Sequence, residues 1–267
     1  DFNYLNFLKS DDIVVFTQMW LSLEHSEELL NSPRFIFLNV ENLTEKTRHT
    51  HITKMIHKGI RVADYSVVNI KIMNDYIKNF CPGYKHTIIH LPYQYHPSDF
   101  CILYNTDHEY EYDVGMIGAY NPISDTVDKN ILYKRNKIWE EVQKNDWKSI
   151  NIVGWKKDRD ELIKKCKLIV NIHLFDVYNI FQHIRCDRLI FANKLILSEI
   201  SSNIDKLDIQ ESVYWQNYDK IIPTIQHILN NFDEIQKKLE SIPKEKIIKT
   251  RQRILQENVD LMVSDVF

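Results

Sequence analysis

Six short apolar runs in this chain end on, or just before, a residue that could do chemistry. Glu41 follows residues 35–39, Asp64 follows 60–63, Gly118 follows 112–117, Gly154 follows 149–153, His173 follows 168–172 and Glu199 follows 195–198. Three of the five glycines, Gly115, Gly118 and Gly154, belong to two of these segments. A glycine at a strand end lets a ligand come close to the backbone. Glu41 and Asp64 either cap the helices that follow or project into a binding site. His173 is either a loop residue or the mouth of a cleft. Arg185, in "FQHIRCDRLIFANKLILSE", lies beside an apolar stripe that includes Val177, Ile180 and Ile184. It reads as a surface ion pair or as a phosphate clamp, because guanidinium suits bidentate phosphate binding.

The elements that must position these residues alternate. Strands are expected at 13–17, 35–39, 60–63, 87–90, 112–117, 149–153, 168–172, 195–198 and 213–215, as short, apolar, buried runs. Helical patterns lie at 25–31, 44–58, 67–80, 131–144, 158–165, 177–192, 220–239 and 244–260. Asp158 and Glu161 resemble a capping box. Asn193 stands where a helix end wants a left-handed residue. The alternation predicts an α/β fold with parallel sheets. A polar stretch at 105–111, "NTDHEYE", divides the strands into two sheets and places a domain boundary after residue 108. Ligands of such sheets bind beyond the carboxyl ends of the strands.

Composition narrows the function classes. The 267 residues are 44% hydrophobic, enough for one large core or two small ones. The net charge of −3 argues against a nucleic-acid partner. No apolar run reaches the roughly 18 to 20 residues of a transmembrane helix, and no basic-then-apolar leader opens the chain. Cys81, Cys101, Cys166 and Cys186 form no CxxC pair and no zinc spacing, so they read as reduced thiols in a cytoplasmic setting. There is no GxGxxG motif and no P-loop. His49, His51 and His57 read as surface residues of one helix, and no metal site is expected.

The ordered segments "FLNVENLT", "RVADYSVVNI", "HLPYQY", "YDVGMIGA", "NIVGW", "LIVNIH", "HIRCDRL" and "LILSE" resemble glycosyltransferases of the GT-B fold. The likeness is to the group-1-like and spore-protein-like branch found in bacteria and giant viruses, and it covers about residues 34 to 220. It implies two Rossmann-like domains facing across a cleft. An acceptor-side domain would span 1–108, with its N-terminal part short. A domain for the nucleotide-sugar donor would span 109–230, and helices at 231–267 would pack back on the first domain. The resemblance places Gly118 against the donor phosphates and Arg135 near the diphosphate. It sets His173 by the sugar or phosphate and Arg185 against the diphosphate, and it has Ser198 and Glu199 line the sugar or nucleotide pocket. Where many members carry a ribose-binding glutamate, this chain has Arg188, with Asp187 adjacent. On a helix that one-residue shift turns the side chain by about 100°.

The activity implied is transfer of a sugar from a nucleotide sugar to a glycan or other hydroxyl acceptor. The nucleotide sugar is a co-substrate, and no cofactor or metal is expected. The leaving nucleoside diphosphate would be stabilised by cations and helix N-termini. An inverting reaction needs a base for the acceptor hydroxyl. Glu41 and Asp64 are the candidates, with His25 a third. The expected location is the cytoplasm, or the host cytoplasm for a viral protein. Two other readings stand beside this one. One is a non-catalytic nucleotide- or glycan-binding protein on a degenerate GT-B fold. The other is an unrelated α/β protein whose polar strand ends are all caps.

Overall fold

Apolar runs joined by amphipathic segments build two parallel sheets. This computed structural model describes residues 14–16, 35–44, 49–104, 109–118, 133–153, 156–174, 176, 179–202, 204 and 207–264. The chain divides into two compact units, Asp1–Tyr93 with Thr250–Phe267, and Gln94–Lys249.

In the first unit β1 (Val14–Phe16), β2 (Phe35–Asn39), β3 (Arg61–Asp64) and β4 (Ile89–His90) pair in sequence order, all parallel. Two helices accompany them, α1 (His49–His57) and α2 (Val67–Phe80). The Ser66 hydroxyl caps α2 by accepting from the Val68 N–H. Ile52, Met55 and Ile56 of α1 and Met73 of α2 pack with Phe37, Ile60 and Val62. Each such side chain contributes roughly 1.5–3 kcal/mol of burial.

The second unit contains α3 (Pro97–Leu103), β5 (Tyr112–Ile117), α4 (Tyr133–Gln143), β6 (Ser149–Ile152), α5 (Lys156–Lys164), β7 (Cys166–Asn171), α6 (His183–Phe191), β8 (Leu195–Glu199), β9 (Tyr214–Gln216), α7 (Ile221–Asn230) and α8 (Phe232–Glu240). The last helix, α9 (Glu245–Ser264), runs on into the residues grouped with the first unit. There Arg251 donates to the Tyr93 carbonyl at 2.9 Å and Asn258 to the His90 carbonyl at 2.8 Å. The second sheet has the order β6-β5-β7-β8-β9, again all parallel. Its core joins Val114, Met116, Leu168, Val170, Leu195 and Leu197 to Ile138, Val142, Ile221, Ile225 and Ile228 of the helices.

All nine expected strands are present, within two residues at their ends. The helices differ more. Residues 25–31 and 45–48 lie outside the described residues. The pattern at 220–239 is two helices, broken at Asn231 (φ −123°, ψ 26°). The Asn231 amide bonds the His227 carbonyl at 2.8 Å and competes with helical pairing. The helix expected at 177–192 begins only at His183 and ends at Phe191; residues 179–182, ahead of it, are described and not helical. Helix α3 is an addition: Pro97 takes its first turn, and the His96 ring accepts from the Ser98 N–H. Asn193 is left-handed, φ 54°, as its position after α6 requires. Among the described residues no helix is long and apolar enough to cross a membrane.

Candidate functional site

In the second sheet the strand order reverses beside β5. Strand β6 lies on one side of it and β7 on the other. Ligands of doubly wound sheets bind beyond the carboxyl ends at such a point. Gly118 directly follows β5 there. Its φ is +64°, a left-handed value that favours glycine, and among the described residues, its chain neighbours aside, no atom lies within 4 Å of where a Cβ would stand. A ligand can therefore approach this backbone.

Arg135, buried in the first turns of α4, spans the reversal. Its Nε donates to the Ile172 carbonyl at 2.8 Å and one terminal nitrogen donates to the Gly118 carbonyl at 3.1 Å. The ends of β5 and β7 are thus tied through one guanidinium. Next to it Lys134 bonds Glu199, reaches Asp176 at 2.7 Å and stands 5.0 Å from the Tyr218 ring centre. Burial favours a neutral Lys134, but the bonds to Asp176 and Glu199 outweigh it and raise its pKa. Burial raises the Glu199 carboxyl, against the lowering effect of Lys134.

His173 is buried one turn of chain beyond β7. Its backbone N–H donates to Glu199 Oε2 at 3.1 Å, and its ring Nε2 lies 3.1 Å from the Ser201 hydroxyl. Among the described residues its Nδ1 is buried without a hydrogen-bond partner. Burial lowers the imidazole to about 4, helped by Lys134, Arg135 and Arg185 and opposed by the Ile200 backbone. His173 is therefore neutral at pH 7. Arg185, half-buried on α6, approaches Asn171 Oδ1 at 3.5 Å; the Asn171 amide donates to the Ser198 hydroxyl at 3.0 Å. The structure gathers Gly118, Arg135, His173, Arg185, Ser198 and Glu199 on one sheet edge.

The residues that connect them were not singled out in the sequence. Lys134 and Ser201 carry no local signal beyond lying next to charged or polar neighbours. Asn171 has one: it is a polar residue inside the apolar run "LIVNIH".

Arg188 is engaged elsewhere. Its Nε donates to Asp99 at 2.8 Å, and its terminal nitrogens donate to Asp160 at 3.2 and 3.1 Å. It joins α3, α5 and α6. Asp187 is fully buried and contacts the His183 ring at 3.0 Å. Asp158-Arg159-Asp160 on α5 is an acidic pair at a metal-binding spacing, but Asp160 is held by Arg188. Among the described residues no group of three or more His, Cys, Asp or Glu is placed to hold a metal.

In the first unit, Asp64 ends β3 and is fully buried. Its carboxylate accepts from the Asn39 amide at 2.6 Å, the Ser66 N–H at 2.7 Å and the Asn69 amide at 3.1 and 3.2 Å. Burial raises it to about 8 despite these donors. The same two amides donate to the Glu41 carbonyl, at 2.9 Å from Asn39 and 2.8 Å from Asn69. Glu41 and Asp64 are thus brought together through their neighbours, Asp64 by its side chain and Glu41 by its backbone. His25 lies outside the described residues.

No family model matches the chain. It is 30% identical over 237 residues to "Uncharacterized protein L140" of Acanthamoeba polyphaga mimivirus, covering 86% of this chain and 68% of that protein. It is 32% identical over 191 residues to "Uncharacterized protein L138" of the same virus, covering 69% of this chain and 19% of that protein. Against "Uncharacterized protein L137" identity is 29% over 241 residues, which is 29% of that protein. The crystal structure of TarM superposes with a TM-score of 0.52 at 12% identity, covering 86% of this chain and 55% of TarM. That likeness is one of fold, GT-B-like. The chain spans about two thirds of L140, less than a third of L137 and L138, and about half of TarM.

Proposed function

The chain belongs to the family of mimivirus protein L140, and we propose that it transfers a sugar from a nucleotide-sugar donor to a hydroxyl acceptor such as a glycan. One observation carries this reading. At the strand-order reversal of the second unit, an open left-handed glycine meets Arg135, His173, Arg185 and a buried Ser198–Glu199 pair. The fold likeness to the glycosyltransferase TarM supports the same reaction class.

In this reading the donor diphosphate lies along the Gly118 backbone. Arg185 meets its charge as the glycosidic bond breaks. Arg135 adds positive charge while holding Gly118 and Ile172 in place. Neutral His173 offers its Nδ1 to a donor hydroxyl, and Ser198 and Glu199 shape the sugar or nucleotide pocket. On the first unit Glu41 is the base offered to the acceptor hydroxyl. Asp64, with no exposed surface, is the residue that fixes Glu41 through Asn39 and Asn69. The proposed transfer uses no metal.

The test is a thermal-shift screen of nucleoside diphosphates and their sugars, with and without chelator, using Arg185→Ala as control. A ligand at about 100 times its dissociation constant adds roughly 2.7 kcal/mol of stability. A shift with one nucleotide that is lost in the variant, followed by release of that diphosphate when a glycan is added, is the expected result. No shift with any nucleotide would sink the donor site. The second reading, a binding protein without turnover, draws on Arg188, which stands where relatives of the resembled family carry a glutamate. Binding without diphosphate release would decide for it.

A further inference from the structure

The strands of the first sheet begin at an edge opposite Glu41 and Asp64. Gly59 and Ile60 lead into β3 there, and residues 81–88 lead into β4. Helices α1 and α2 end at the same edge, at His57 and Phe80. His57 Nε2 lies 2.9 Å from the Tyr76 hydroxyl, and the Tyr76 and Phe80 ring centres stand 5.1 Å apart. Phe80 is 67% exposed, more than any other large apolar side chain among the described residues. One exposed ring alone is ordinary. Its surroundings are not.

Cations gather around it. Lys54 and Lys58 lie one turn apart at the end of α1, Lys78 lies in the last turn of α2, and Lys85 and His86 precede β4; all four lysines are exposed. Residues 49–90 carry six lysines and arginines against two acids, Asp64 and Asp75, in a chain whose net charge is −3. Asp64 is fully buried, so the positive field is local. Lys54, His57 and Lys78 also suit helix C-termini, which favour cations. Lys58, Lys85 and His86 lie beyond the helices and have no such account. Beside Phe80 the surface opens into a pocket of about 410 Å³ lined by His57, Tyr84, Lys85 and His86, with Gly59 and Gly83. Among the described residues, chain neighbours aside, no atom lies within 4 Å of a Cβ position on either glycine, and no acid lines the pocket.

The composition selects the partner. Protein interfaces are depleted in lysine, and single-stranded nucleic acid needs successive stacking rings. One exposed ring among long-stemmed lysines is the make-up of a peripheral membrane contact. We propose that this edge docks on an anionic phospholipid bilayer. A headgroup phosphate enters the pocket between His57, Lys85 and His86. Phe80 inserts into the interfacial layer beside it, and Lys54, Lys58 and Lys78 meet neighbouring headgroups. The four residues of β3 span roughly 13 Å, so docking holds the Glu41 edge about that far from the headgroups, facing water. The proposal stands apart from the sugar-transfer reading and does not depend on it.

The experiment sediments the full chain with two kinds of vesicle, phosphatidylcholine alone and an equimolar mixture of phosphatidylcholine and phosphatidylserine. Pelleting with the mixture only, fading as salt is raised, is expected. A variant carrying Lys54→Gln, Lys58→Gln and Lys85→Gln should partition about a hundredfold less, at about fivefold per charge. Phe80→Ala should partition about tenfold less, as loss of a buried ring does. All four side chains are exposed or nearly so, and circular dichroism checks that the variants fold. Lys237→Gln, Lys238→Gln and Lys246→Gln together remove as much charge from exposed positions of the second unit and should change nothing. No pelleting with the mixture overturns the proposal. So does binding that the control variant weakens equally, which would be a response to total charge. Binding to soluble polyglutamate but not to vesicles, indifferent to Phe80→Ala, would assign the surface to an acidic polypeptide instead.

Discussion

Asn69 and Asp64 are joined inside the first unit: the Asn69 amide lies 3.1 Å from Asp64 Oδ2 and also donates to the Glu41 carbonyl at 2.8 Å. The Asn69 Oδ1 accepts from the Leu43 N–H at 3.0 Å, so one side chain fixes the turn after β2 and the acid that ends β3. Asn69→Ala leaves the Leu43 N–H and part of the Asp64 carboxyl without their partner. The expected loss is about 2–3 kcal/mol, read by urea unfolding. A loss under about 0.5 kcal/mol, the scale of an ordinary surface substitution, would mean this network does not hold the turn.

Asp64 and His173 give stability opposite slopes with pH. Asp64 is raised from 3.8 to about 8 by burial, so its contribution is full below pH 3.8 and is lost as pH rises through 8. His173 is lowered from 6.5 to about 4, so its contribution is full above pH 6.5 and is lost as pH falls through 4. Between about 4 and 6.5 the two oppose each other. In Asp64→Asn, stability should rise with pH across that window; in His173→Gln it should fall. Melting midpoints measured at several pH values check both signs. Identical profiles in wild type and variants would contradict the assigned shifts.

Much of this was legible in the sequence, for a physical reason. Buried parallel strands are short, apolar and β-branched, and that signature survives without any tertiary information. The residues placed at the strand ends of the second unit, Gly118, His173, Ser198 and Glu199, follow from the strands alone. What stayed hidden depends on contacts far apart in sequence. Asn39 and Asn69 meet at Asp64 across 25 and 5 residues, and no local pattern announces that. Helix α3 has only seven residues and too little periodicity to show. Arg188 looked like a departure at a binding position, because the acids that engage it lie 89 and 28 residues away.

Gly115 and Gly118 stand three residues apart in and after β5, and their replacement should cost stability for different reasons. A Cβ on Gly115 would meet Cys166 Sγ at 2.6 Å and Ile152 Cδ1 at 2.8 Å. Gly115→Ala therefore overpacks the core, by about 1–3 kcal/mol. Among the described residues a Cβ on Gly118 meets nothing within 4 Å, and its left-handed backbone resists, by about 1–2 kcal/mol. The double variant Gly115→Ala with Cys166→Ala should recover part of the first loss, since the nearest contact is removed. Gly118→Ala should gain nothing from the same change. Equal responses in unfolding experiments would refute the distinction.

Arg188 provides the last discrimination, between a lost nucleotide contact and a structural clamp. Its guanidinium lies between Asp99 and Asp160 and is mostly buried. Burial favours the neutral form, but the bonds to Asp160 and Asp99 outweigh it and raise the pKa further. Removing the cation leaves two carboxylates facing each other without a partner. Arg188→Ala should then cost about 3 kcal/mol, and Arg188→Glu more, because a third acid joins the two. Were Arg188 simply a replaced ribose-binding glutamate, Arg188→Glu would leave stability alone and tighten nucleotide binding. Urea unfolding alongside nucleotide titration separates the two cases: destabilisation without tighter binding is expected, and tighter binding in a chain of unchanged stability would return the position to the donor site.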